Sequence, residues 1–131
     1  ENWDVSNVTN MYSMFCECEE LNCDLSEWDV SNVISMNYMF SDCIKFEGKG
    51  LENWDVSNVT GMEGMFYRCH KFEGKCLENW DVSNVTDMES MFNRCNNLNC
   101  DLSNWNVSKV KERYRIFYQC PIKAEYKPKF R

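Results

Sequence analysis

The chain has 131 residues, enough for one ordinary domain. With 44% hydrophobic and 27% charged residues it has the composition of a folded soluble protein, and it lacks the run of about 18 to 20 apolar residues that a membrane span needs. A net charge of −7 and a single His argue against catalysis and nucleic-acid binding, and an odd count of nine Cys excludes a closed set of intramolecular disulfides.

The chain repeats itself. Trp3, Trp28, Trp54, Trp80 and Trp105 are spaced by 25, 26, 26 and 25 residues, and fifteen residues after each stands Cys18, Cys43, Cys69, Cys95 or Cys120. In the third unit, Leu51, Trp54 and Val56 predict a short strand, with Trp54 and Val56 facing in and Asp55 and Ser57 facing out. Val59, Met62, Met65, Phe66 and Cys69 follow as the apolar stripe of a helix of about two to three turns. Thr60 with Glu63, and Thr86 with Glu89, read as capping boxes, while Ile34 at the same place in the second unit cannot cap. The unit closes with a return segment. Gly48 and Gly74 supply tight turns in the longer version, and that version is one residue longer than the segments from Leu21 and Leu98.

A unit of this size cannot bury its own apolar side, so stacking is required. The L-x-x-W-x-V start also resembles the L-x-x-L-x-L of leucine-rich repeats. The expected fold is therefore an α/β solenoid of about five 25–26-residue strand–helix repeats, leucine-rich-repeat-like and right-handed. A parallel sheet lies on one face and short helices on the other. Residues 1–104 form four stacked repeats from Trp3, Trp28, Trp54 and Trp80. Residues 105–131 form a degenerate C-terminal capping repeat with a basic tail, net +6 against −13 for the rest. The beginning, Glu1-Asn2-Trp3, enters a unit midway. An uncovered end of this kind implies an upstream continuation or a covering chain, including self-association through the open N-terminal end.

The run W-D-V-S-N-V-T-x-M-x-x-M-F-x-x-C resembles the bacterial surface protein 26-residue repeat of BspA-like leucine-rich-repeat-type surface proteins. The resemblance spans about residues 1–120 and is close in four units. It implies a surface or secreted binding scaffold, adhesin-like and without enzymatic activity, and carries over no catalytic residue.

Candidate chemistry is weighed against plain packing. The five helical Cys read best as small buried hydrophobes, with disulfides such as Cys69–Cys76 or Cys95–Cys100 as the alternative. Cys16 stands where other units have Ser41, Tyr67, Asn93 and Tyr118, which makes it the candidate reactive thiol. Asp4, Asp29, Asp55 and Asp81 line up at about 4.8 Å on the expected strands, a spacing that invites calcium. Ser6, Ser31, Ser57 and Ser83 two residues on favour a structural turn instead. Asn7, Asn32, Asn58 and Asn84 suggest a ladder to the backbone of the next coil. The Met pairs read as core and His70 as an exposed residue without a partner.

These readings assign no metal and no cofactor. The candidate interaction surface is Asp4, Ser6, Asp29, Ser31, Asp55, Ser57, Asp81 and Ser83, with the basic Lys109, Lys111, Arg113 and Arg115. The expected function is a non-enzymatic protein-binding, adhesin-like scaffold with protein partners, no nucleic acid and no membrane span. The alternative is a structural subunit docked in a larger assembly, viral or cytoskeletal. The location follows the same division: cell surface or secreted by resemblance, intracellular or virion if every thiol is reduced.

Overall fold

Each unit bends twice around its Trp, and the bends leave no room for a strand. A computed structural model describes residues 3–130. In the third unit the Trp54 N–H donates to the Leu51 carbonyl at 3.1 Å, and the Val59 N–H donates to the Val56 carbonyl at 3.0 Å. The first closes a 3₁₀ turn and the second a four-residue β-turn. Asp55 fixes the second: its Oδ1 accepts the Ser57 N–H at 3.0 Å and the Ser57 hydroxyl at 2.6 Å. Only the Trp-Asp-Val segment lies between the two turns.

The expected helix is also absent. Gly64 and Arg68 have φ of 58° and 60°, and the same two places in the other units carry Ser13 and Glu17, Tyr38 and Asp42, Ser90 and Arg94, and Arg115 and Gln119, all with positive φ. A right-handed helix cannot pass through left-handed residues. The segment is instead a ribbon of overlapping turns whose amides alternate in role. Met65, Tyr67 and Cys69 donate three residues back, to Met62, Gly64 and Phe66. Met62, Gly64, Phe66 and Arg68 donate to Asp87, Glu89, Met91 and Asn93 of the next unit. The same alternation joins the first unit to the second, the second to the third and the fourth to the fifth. Thr60 and Thr86 do not cap helices: their N–H groups donate to the carbonyls of Ile34 and Thr60 one unit back.

The α/β solenoid, with its leucine-rich-repeat-like parallel sheet and short helices, is therefore not formed. Among the described residues there is no strand. The parallel contacts are single-residue bridges, Asn10 to Ser35, Ser35 to Gly61, Gly61 to Asp87 and Asp87 to Glu112. The only helical turns among the described residues are 3₁₀ segments at Leu51–Asn53, Lys75–Leu77 and Ala124–Tyr126. Gly50 and Gly74 precede the first two with φ of 90° and 84°, the left-handed backbone that a glycine permits at no steric cost.

The units form a stack of turn-rich coils with one core between them. Phe15, Phe40, Phe66, Phe92 and Phe117 make a column with ring centroids 5.7 to 5.8 Å apart. Trp54 and Trp80 stack at 6.4 Å in a second column. Trp28, Trp54, Trp80 and Trp105 are buried, as are Cys43, Cys69 and Cys95. The inward stripe read from the sequence is thus real, although the backbone beneath it is not helical.

Candidate interaction surface

The recurring polar residues hold one coil to its neighbour or close a turn. In all four Asp–Ser pairs, Asp4 to Ser6, Asp29 to Ser31, Asp55 to Ser57 and Asp81 to Ser83, one carboxylate oxygen accepts both the Ser N–H at 3.0 Å and its hydroxyl at 2.6 Å. These bonds hold the carboxyls of Asp4, Asp29 and Asp81 below their ordinary value, the hydroxyl contributing most. The Asp column is exposed and closes turns. Among the described residues no three His, Cys, Asp or Glu side chains come together as a metal cage.

The Asn ladder exists, but it reaches back rather than forward. Asn32, Asn58 and Asn84 donate through Nδ2 to the carbonyls of Ser6, Ser31 and Ser57 at 2.8 Å. Lys109 takes over in the fifth coil, its Nζ bonding Asn84 Oδ1 at 2.9 Å. The indoles do the same: Trp54, Trp80 and Trp105 donate to the carbonyls of Leu25, Leu51 and Leu77 at 2.9 to 3.0 Å. The thiols of Cys43, Cys69 and Cys95 donate to the carbonyls of Phe15, Phe40 and Phe66 at 2.9 to 3.0 Å. Sequence reasoning gave these Trp and Cys only a packing role; their fixed spacing was the signal that each also meets a backbone partner one coil back.

All nine cysteines are free thiols, so neither Cys69–Cys76 nor Cys95–Cys100 is bonded. Burial pushes Cys69 and Cys95 far up, and pushes Cys43, Cys76 and Cys100 up to about 12. Cys16, the candidate reactive thiol, is half-buried, and burial followed by the neighbouring Glu17 carboxylate raises it too. Cys18 is the exposed one.

The surface that differs from coil to coil faces outward. Tyr38 lies across Gly64 and donates its hydroxyl to Glu63 Oε2 at 2.6 Å, which pushes its own ionisation up. In the same place of the fifth coil, Arg115 lies over the exposed Tyr114 and Tyr118 rings, 5.1 and 4.6 Å from their centroids. Lys111 and Arg113 are exposed beside them. The candidate residues therefore fall into two sets: a line of Asp–Ser turns, and a basic, tyrosine-rich patch on the last coil. A third feature escaped the sequence reading. The return segments border an open groove of about 640 Å³, lined by Glu47, Lys49, Glu73 and Lys75 among others. Its only sequence signal was the F-E-G-K shared by two return segments.

Among the described residues no helix is long and apolar enough to cross a membrane. Two overlapping stretches, residues 1–75 and 45–122, match the family model described as "Mycoplasma protein of unknown function, DUF285". No curated protein and no solved structure matches the chain.

Proposed function

Because the chain belongs to the DUF285 family, and its repeated polar atoms are spent on the scaffold, we propose that it is a non-enzymatic protein-binding module. The observation that carries this reading is the division of labour among side chains. In the second to fourth coils the recurring Asp, Ser, Asn and Cys are tied to turns or to neighbouring coils, as are Trp54, Trp80 and Trp105. Several side chains that vary between coils, Tyr12, Ile34, Tyr114 and Tyr118 among them, are exposed. A scaffold with a variable face suits recognition of a macromolecule rather than transformation of a small one.

The resemblance of the W-D-V-S-N-V-T-x-M-x-x-M-F repeat to BspA-like surface proteins supports an adhesin-like role at a cell surface or in the extracellular space. The basic patch of Lys111, Arg113 and Arg115 is the part of the face best fitted to an acidic partner. Interferometry of the chain against extracellular-matrix proteins and sulfated glycans tests this. Saturable binding that weakens at least tenfold in K111Q/R113Q/R115Q is expected, and no binding to any of them contradicts the adhesin role. The free state of all nine thiols favours a second reading, a structural subunit in a reducing compartment or virion. Tight co-purification with large particles, in place of binding to matrix or glycan, would select it.

A further inference from the structure

The open groove of about 640 Å³ lies between return segments in the middle of the stack, and its walls are charged. Glu47, Lys49 and Glu52 line it around one return segment, and Lys71, Glu73 and Lys75 around the next. It opens where a rung between coils is missing. The Asn99 N–H donates to the Glu73 carbonyl one coil back at 2.8 Å, whereas the equivalent N–H of Glu73 makes no backbone bond among the described residues.

Like charges stack along this face. Glu73 holds the place of Glu47 one coil on, and Lys75 that of Lys49, while Phe46 and Phe72 beside them stack at 6.3 Å. Like charges at this spacing repel. Relief within one copy is slight: Lys49 reaches Glu47, and Lys75 reaches Glu73, only at 4.0 Å, and all four side chains are more than half exposed.

The order of the charges points to what covers them. The exposed signs along one coil run Lys45, Glu47, Lys49, Glu52, and along the next Lys71, Glu73, Lys75, Glu78. Gly48 and Gly74 sit at the centre of these runs and put no side chain in the way. Reversed end to end, each run is its own complement: Glu47 exchanges with Lys49, Glu52 with Lys45, Glu73 with Lys75 and Glu78 with Lys71. The coils on either side keep the rule with Asn22-Cys23-Asp24 and Asn99-Cys100-Asp101, where reversal sets an amide against a carboxylate.

We propose that a second copy of this chain covers the groove, related by a two-fold axis that runs parallel to the stack past Gly48 and Gly74. Each coil then faces its own counterpart with the return segments antiparallel. Glu47 meets the partner's Lys49, and Glu73 meets the partner's Lys75, each contact occurring twice. In this arrangement no like charges meet in any of the four coils. The interface is isologous and closes at two copies. It is polar, and exposed pairs are each worth little, so the dimer is weak and its selectivity comes from charge order. This inference does not rest on the binding role proposed above.

Sedimentation velocity of the full 131-residue chain at low salt tests it, with two variants confined to exposed side chains. K49E/K75E makes the centre of the face wholly acidic, and E47K/E73K makes it wholly basic. Unchanged melting temperatures at high salt show that both fold. The unsubstituted chain should pass from monomer to dimer with concentration and form nothing larger. About 0.5 M salt, where screening shortens to the order of 4 Å, should weaken the dimer at least tenfold. Each variant alone should be monomeric, and an equimolar mixture should restore a 1:1 dimer. An unsubstituted chain that stays monomeric up to about 1 mM overturns the proposal. So does a dimer that salt leaves unchanged, a variant that dimerises alone, or a mixture that fails to associate.

Discussion

Replacing Trp80 and Trp28 in parallel by Phe isolates the hydrogen bond that ties one coil to the next. Both indoles are 5% exposed, so both substitutions lose similar packing, about 1 kcal/mol each. Only Trp80 also loses a bond, its Nε1 donation to the Leu51 carbonyl at 2.9 Å, for about 1 kcal/mol more. Trp28→Phe removes a donor with no partner among the described residues, so it loses packing alone. A chain of this length shifts by roughly 4 °C per kcal/mol. Trp80→Phe should then lower the melting temperature by about 8 °C and Trp28→Phe by about 4 °C. Circular dichroism melts read this directly. Equal losses, or a larger loss at Trp28, would refute the indole ladder. Trp80→Ala, which also opens a cavity, should cost roughly 3 to 5 kcal/mol.

Further outcomes are expected. Gly64→Ala places a Cβ 2.4 Å from the Tyr38 ring at a φ of 58° and should cost about 1 to 3 kcal/mol. Ser90→Gly, at the same place in the next coil with the same φ, should gain about 0.5 to 1 kcal/mol in chemical denaturation. Asp4, Asp29 and Asp81 are held below their ordinary value of 3.8, so their contribution is present above that pH and is lost as pH falls through the lowered values. Melting temperatures from pH 5 to about 2 should therefore drop less in S31A/S83A than in the unsubstituted chain. The raised thiols act in the opposite sense: their contribution is present below pH 9.0 and fades as pH rises towards about 12. Maleimide labelling at neutral pH, followed by mass spectrometry, should modify Cys18 first, Cys16 slowly, and Cys69 and Cys95 only on unfolding.

The repeat period, the burial of Trp28, Trp54, Trp80 and Trp105 and of Cys43, Cys69 and Cys95, and the structural use of Asp were legible in the sequence, whereas Cys18 and Trp3, read the same way, are exposed and Cys120 is half-buried. Each follows from a side chain meeting the same environment in every coil. The backbone was not legible. Met62, Met65, Phe66 and Cys69 lie at i, i+3, i+4 and i+7, and a ribbon of overlapping turns presents those positions inward just as a helix does. What separates the two is a left-handed residue at two places per coil. Only Gly64 advertises it; Ser13, Tyr38, Ser90 and Arg115 stand at the same place with side chains that give no warning. The strand failed for a related reason. V-S-N-V is a turn closed by the preceding Asp, which cuts the extended segment to the three residues around Asp55. The basic last coil was visible as charge, but the alternation of amides reaching across coils is a property of the backbone and had no sequence signal.

These units are joined by alternate amides reaching across coils rather than by helical bonds within them. Scalar coupling through hydrogen bonds, measured by NMR on the labelled chain, reads each acceptor by name. The amide of Phe66 should couple to the carbonyl carbon of Met91 and that of Gly64 to Glu89. Coupling of Phe66 to Met62, four residues back, would restore the helix and contradict the account.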